Sequence, residues 1–366
     1  MNFLNRILLR KGGNCSEFAI PEKHIKHNNK NMKNSTHLLL LMLTLLSVSV
    51  SAQTPTVQDV VNEGIKYHDE GNYPNAIETY KKALEIDPNS GLANYEIALT
   101  YFAIKDYKNA ELHSKKAVDA NDNHKMHACI MYGNSLDMLG ETKKAIKVYE
   151  KAIKDFDNYL LYYNYALTCL KAGETEKAYD AAIKAILNNS SHASSHLILS
   201  QVMEKKGSRV KAMLPLYFFL MLEPNSARSE VNYQALRGFI DLGVTQTSEK
   251  NINVSVPTDK DADFGAAEMM ISLSKASNTL EENKGKTDLE LFAGNNEQIF
   301  SILGELKKEN TGFWWEFYVP FFYGLATENL VKPFSYYISQ SIGEEAGKWI
   351  EENAEDFEKF KNWVNN

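Results

Sequence analysis

Between residues 57 and 226, apolar side chains recur every three or four positions, in blocks separated by glycines or short polar turns. That is the spacing of helices with one buried face. Two blocks show it plainly: YPNAIETYKKALEIDPN at 73–89 and TKKAIKVYEKAIKDFDN at 142–158. Each sets an Ala, an aromatic four residues on, and a second Ala three residues further. Small and large side chains then share a face, so one helix can nest against the next. Gly71, Gly140, Gly173 and Gly207 fall where paired helices must turn. Pro88 and Pro224 end helices that proline cannot continue. The predicted architecture is all-α: five helix–turn–helix units over 53–226, a helix at 227–242 capping the stack, a polar linker at 243–260, and a C-terminal helical domain over 261–366. A short extended piece is expected at Ile252–Val256 within the linker.

Beyond the linker the repeat is lost. Apolar spacing predicts helices near Phe264–Ser274, Leu289–Lys307, Gly312–Glu328 and Glu344–Val364. The third carries Phe313, Trp314, Trp315, Phe317, Tyr318, Phe321, Phe322 and Tyr323 on all its sides. Such a helix is either buried from several directions or holds a surface for a partner.

At the other end, Lys33, the apolar run Leu38–Val50 and the small residues Val50-Ser51-Ala52 read as a Sec signal peptide over 32–52, with Gln53 as the new N-terminus. The run is short of the ~20 residues of a membrane span; an uncleaved anchor is the alternative. Residues 1–31 are polar and aperiodic, so translation is expected to start at Met32, with a genuine extension as the other possibility. Export is expected, to the periplasm if the cell is Gram-negative.

Charge narrows the partners. The chain has 40 basic and 47 acidic residues, and its first 52 residues hold seven of the former and two of the latter. The acidic excess therefore lies in the rest of the chain, without a dense Lys/Arg stripe, and a nucleic-acid partner is not expected. Of three cysteines, Cys15 precedes the cleavage site. Cys129 and Cys169 fall on packing positions and are expected as reduced core thiols, a disulfide between neighbouring repeats being the alternative.

The repeat resembles the tetratricopeptide repeat, a 34-residue helix–turn–helix unit. In the first unit Gly64, Tyr67, Gly71, Tyr73, Ala76, Tyr80, Ala83 and Pro88 stand on the family's signature positions. The second carries Ala98, Tyr101, Ala110 and Ala117, with Ser114 where a large residue is usual; the third Gly133, Leu136, Gly140, Ala145, Tyr149 and Ala152; the fourth Ala166, Cys169, Gly173, Ala178 and Ala185. The fifth is weaker, with Met203, Gly207, Ala212, Leu216 and Pro224, while Ser200 and Phe219 replace small apolar residues and imply different packing.

The resemblance implies a superhelix whose first helices (A) line a concave groove. It places Leu92, Tyr95, Leu99 and Phe102, then His127, Ile130, Asn134, Asp137 and Met138, then Leu160, Tyr163, Leu167 and Leu170 on that groove. Family members that hold the acidic tails of cytosolic chaperones need lysines there, and these are missing. An apolar peptide or helix is the expected partner, or the chain's own C-terminal helices.

No catalytic signature accompanies this. HExxH, a Gly-rich phosphate loop and GxSxG are absent. His192 and His196 have a metal-compatible spacing but no acidic or Cys ligand near them in sequence, so they are expected as solvated or helix-start histidines. Asp119 to Asn123 reads as an inter-repeat turn in preference to a calcium loop, and Glu281-Glu282, Glu344-Glu345 and Glu351-Glu352 as solvated faces. The expectation is a non-enzymatic scaffold without cofactor or metal. The alternatives are a C-terminal enzyme or ligand-binding module that the repeats position, and a self-assembling structural protein.

Overall fold

The computed structural model describes residues 55–248, 251–255, 262–307 and 310–366; the expected signal peptide and residues 1–31 lie outside them. Ten helices form five antiparallel pairs: α1 (Val57–Asp69) with α2 (Tyr73–Ile86), α3 (Gly91–Ala103) with α4 (Tyr107–Ala120), α5 (Lys125–Met138) with α6 (Thr142–Asp155), α7 (Tyr159–Ala172) with α8 (Thr175–Asn188), and α9 (Ala193–Lys206) with α10 (Arg209–Leu222). Their ends follow local chemistry. Thr56 and Asp59 close a capping box on α1, and Ser90 and Asp106 cap α3 and α4. Between the partners of a pair, Gly71, Gly140, Gly173 and Gly207 take φ of 75° to 81°, a backbone that L side chains rarely adopt. The turn between α4 and α5 uses Asn121 at φ 54°.

Close approach explains the small residues. A Cβ on Gly133 would lie 2.4 Å from the ring of Tyr149, and one on Gly64 would lie 2.3 Å from that of Tyr80. Each tyrosine is fully buried against the glycine of its partner helix. Successive A helices also touch one another, whereas successive B helices do so far less, which curves the stack with the A layer inside.

A further helix, α11 (Ser229–Asp241), follows the fifth pair as expected. Within the expected linker lies an antiparallel hairpin, β1 (Val244–Ser248) and β2 (Asn251–Val254), with Val244 opposite Val254. The rest is α12 (Gly265–Ser277), α13 (Asp288–Leu306), a π-helical turn at Trp314–Tyr318, α14 (Val319–Thr327), α15 (Val331–Tyr337), α16 (Glu344–Glu352) and α17 (Ala354–Asn365). The predicted helix at Gly312–Glu328 thus opens one residue wide, with Val319 N–H donating to the Trp314 carbonyl. Pro320 has no N–H for the regular ladder, and the slip passes over that gap. The predicted Glu344–Val364 helix breaks at Asn353, whose φ of −118° and ψ of 41° leave the helical region. The short α15, with Pro333 in its first turn, was not foreseen.

Most of the C-terminal helices share a core with the repeats; a small separate cluster joins Leu289, Tyr336 and Ala346. One apolar cluster runs from Cys129 in the third repeat through to Phe360, and a smaller one joins Val60, Val61, Ala76, Tyr80, Ala83, Ala93 and Ile97. At the centre of the larger cluster is α10, buried at every position from Arg209 to Met221. Its run VKAMLPLYFFLML is apolar on all sides but for Lys211 because it packs on α9 on one side and on the C-terminal region on the other. Phe219, where a small residue is usual, is buried beneath the Arg228 guanidinium at 5.2 Å.

Candidate binding groove

The A helices present side chains at fixed positions on the inner layer, and the predicted groove residues lie there. Leu92, Tyr95, Leu99 and Phe102 on α3, Ile130 and Asn134 on α5, and Leu160, Tyr163 and Leu170 on α7 are half-buried. Met138 and Leu167 are more open, 48% and 40% exposed. Ring contacts within and between repeats link these side chains into a surface. Tyr95 faces His127 at 6.2 Å between ring centroids. Tyr163 and Tyr159 each meet His192 edge-on at 5.0 Å, and Phe102 meets Tyr107 at 5.2 Å.

The few polar groups on this face are neutralised by one another. Asp137 accepts from Lys171 at 3.0 Å and from the Thr142 hydroxyl at 2.7 Å. The Asn134 carbonyl accepts from the Tyr149 hydroxyl at 2.7 Å. Burial holds the His192 imidazole below its ordinary range, helped by the charge of Arg228, so the ring is neutral near pH 7. Burial, with the Glu96 charge second, raises the Tyr95 phenol. Burial likewise raises the carboxyl of Glu96, opposed by His124 and reinforced by Asp69. The result is a weakly charged, largely apolar and aromatic face.

The C-terminal region meets the stack elsewhere. Trp314 donates from Nε1 to the Tyr179 hydroxyl at 3.0 Å. Phe218 packs on Phe317, Tyr318 and Phe321, and Tyr217 on Phe300, Phe322 and Phe334. Arg209 is buried and gives Nε to Glu268 Oε2 at 2.5 Å, Nη2 to the Glu268 carbonyl at 2.7 Å and Nη1 to the Leu242 carbonyl at 2.9 Å; Glu268 Oε1 accepts from Val210 N–H at 3.1 Å. Arg237 pairs with Asp288 through two bonds of 2.7 Å. These contacts involve α8, α10 and α11, and His196 of α9 adds a bond to Tyr318. Among the described residues, no hydrogen bond, ion pair or ring contact joins the C-terminal region to a predicted groove residue.

Several expectations change here. His196 is not solvated: it is fully buried, with Nδ1 2.6 Å from the Tyr318 hydroxyl and Nε2 2.9 Å from the Ser190 carbonyl, and its ring stacks on Phe218. Burial drives its pKa down to about 3. His192 stands at the start of α9 and shares its Nδ1 with Ser195. Among the described residues, no three His, Cys, Asp or Glu side chains gather as a metal site would require. Cys129 and Cys169 are free and buried, and burial pushes the Cys169 thiol up to about 11. The aromatic side chains Trp314, Trp315, Phe317, Tyr318, Phe321 and Phe322 are core. The residues that join the two halves, Arg209 and Glu268 above all, had no signal beyond the long apolar run after Arg209, broken only by Lys211.

A stack of paired helices with an uncovered inner face defines a helical-repeat binding scaffold. The repeats are tetratricopeptide repeats: a model described as a TPR repeat matches residues 64–105, and two described as tetratricopeptide repeat match 92–124 and 131–201. A TPR repeat-containing protein of Methanocaldococcus jannaschii is 29% identical over 119 residues, 32% of this chain and 21% of that protein. The chain therefore spans about a fifth of that relative's length. Among solved structures, pilF of Pseudomonas aeruginosa is 21% identical with a TM-score of 0.42, covering 50% of this chain and 88% of that one. A thermophilic TPR protein of Thermus thermophilus is 18% identical with a TM-score of 0.43, covering 50% and 99%.

Proposed function

We propose that this chain is an exported, non-enzymatic scaffold that binds a weakly charged, apolar or aromatic peptide segment of a protein along its A-helix face. The carrying observation is the row from Leu92 to Leu170, left half-exposed while the C-terminal region packs on α8, α9, α10 and α11. Apolar side chains held part-open across three consecutive repeats can each yield ~25 cal/mol per Å² when a partner covers them. The paired Asp137 and Lys171 leave little net charge to attract an ionic ligand. Export rests on the character of residues 32–52, and no helix among the described residues is long and apolar enough to cross a membrane.

Selection from a random peptide library on the whole chain is expected to enrich apolar and aromatic sequences of low charge. Placing lysines in the groove with Met138→Lys and Leu167→Lys should weaken the enriched peptides by roughly tenfold or more, because desolvated centres carry most of the binding energy. Both side chains are exposed, so far-UV circular dichroism should not change. Enrichment of charged sequences, or binding indifferent to the two lysines, would sink the reading. Gln53 as the first residue of protein recovered outside the cytoplasm would be the matching result for export.

A further inference from the structure

Among the described residues, one side of α12 is covered and the other is not, and the uncovered side carries no charge. Inward, Ala267, Glu268, Ile271, Ser272 and Ser274 are buried. Outward, at about 100° per residue, Ala266, Met269, Leu273 and Ala276 fall in one line on the face opposite Ile271. Met269 is 53% exposed and Leu273 44%, with Leu280 just past the helix at 52%. Surface helices normally carry charge outward, as α16 and α17 do with glutamates and lysines. The two charged residues of α12 are engaged elsewhere: Glu268 is buried on Arg209, and Lys275 pairs with Asp241 at 2.5 Å. Other charges keep to the rim, with exposed Asp263 before the helix and exposed Glu281, Glu282 and Lys284 after it.

The spacing of this line indicates what covers it. Steps of three, four, three and four residues from Ala266 to Leu280 are the a/d repeat of a helix that packs along a second helix. A lipid surface fits less well, because an interfacial helix flanks its apolar face with free Lys or Arg, and the lysine of α12 is paired. The sizes also read the same in both directions: small Ala266, large Met269, large Leu273, small Ala276, all centred on Ile271. A second α12 laid antiparallel therefore sets Met269 against Leu273 of the second copy, twice, with Ala266 against Ala276 on either side. Opposed macrodipoles favour that direction.

We propose that α12 is a dimerisation helix, and that two copies of this chain pair through it antiparallel about a two-fold axis level with Ile271. Such an interface uses one patch twice and so must be self-complementary, which this line of side chains is. Two helices of 13 residues cover less than the ~800 Å² per partner of a standard interface, so the pair is weak and forms with rising concentration. The surface shares no residue with the A-helix groove, and the dimer stands whether or not that groove binds a peptide.

The test is sedimentation velocity of the whole chain over about 1–500 μM, the range in which small interfaces associate. The protein should pass from one protomer mass to twice that mass as concentration rises. Met269→Lys and Leu273→Glu should each weaken association by roughly tenfold or more, since each puts two charges into the apolar seam. An equimolar mixture of these two variants should associate again, because the introduced lysine meets the introduced glutamate while the second Met269–Leu273 pair stays intact. A mixture of Met269→Lys with Met269→Glu should not, since antiparallel helices never bring the two 269 positions opposite each other. Both positions are exposed, so melting curves should match the parent chain. A single protomer mass at every concentration, a dimer indifferent to Met269→Lys, or recovery in the second mixture in place of the first would each overturn the proposal.

Discussion

At the scale of single residues, the buried His196 is the most exacting feature. It sits 122 residues from its partner Tyr318 and is neutral in the fold, with a pKa of about 3 against ~6.5 for an unfolded histidine. Between those values the unfolded chain takes a proton that the native chain refuses. Stability is therefore complete above pH ~6.5 and is lost as pH falls toward the folded value, by up to about 1.4 kcal/mol per pH unit for one such site. His113, held down to about 4 by burial with Lys116 and Lys81 adding to it, works in the same direction. Denaturant titrations at several pH values should show stability falling with acid from about pH 6.5. His196→Gln should flatten that slope even if it lowers stability throughout. A slope unchanged in the variant would mean that His196 is protonated in the fold.

At the scale of elements, the bond between the two halves is concentrated where α10 begins. Arg209 and Glu268 are both buried, and their pair ties α10, the end of α11 and α12 together. Removing only the guanidinium takes the Arg209 cation away from a buried carboxylate, so Arg209→Met should cost about 3–5 kcal/mol. Arg209→Met combined with Glu268→Met should recover more than half of that, because hydrophobic replacement of a buried pair is often neutral. Urea unfolding of the singles and the double measures the coupling; a single substitution costing under ~1 kcal/mol would show the pair to be incidental. This junction also marks where the sequence stops being legible. The ten repeat helices could be read because Gly64 beneath Tyr80, or Gly133 beneath Tyr149, recurs at a fixed spacing, and because glycines mark the turns. The groove positions came with that register. The C-terminal helices could be only roughly placed, since the π turn depends on a missing N–H at Pro320 and the break at Asn353 on one residue's backbone. His196 and Glu268 were opaque for a different reason: their partners are remote in sequence, and nothing local distinguishes a buried ion or imidazole from a solvated one.

At the scale of the molecule, the two apolar clusters divide the stack in an unexpected place. The smaller ends at Ile97 and the larger begins at Cys129. Between them, α4 buries only Ala110, Ser114 and Ala117, and Ser114 stands where the family usually has a large side chain. Repeats stabilise one another through nearest-neighbour interfaces; α4 and α5 are closely apposed, but the small side chains of α4 bury little apolar surface there, so repeats one and two open before the remainder. The four tryptophans, at 314, 315, 349 and 363, all lie in the C-terminal region, so their fluorescence does not report on repeats one and two, while far-UV circular dichroism reports on every helix. In urea the dichroism should begin to fall at lower concentration than the fluorescence. Coincident curves would mean that α4 transmits stability despite its small side chains. The groove crosses this weak point: Leu99 and Phe102 lie on α3, Ile130 and Met138 on α5. A peptide that spans both must stabilise the repeats that open first, by mass action on the folded state. Adding it should move the early dichroism phase toward the fluorescence transition and narrow the gap. A peptide that bound but left the gap unchanged would be held by repeats three to five alone, and the groove would be shorter than its apolar row.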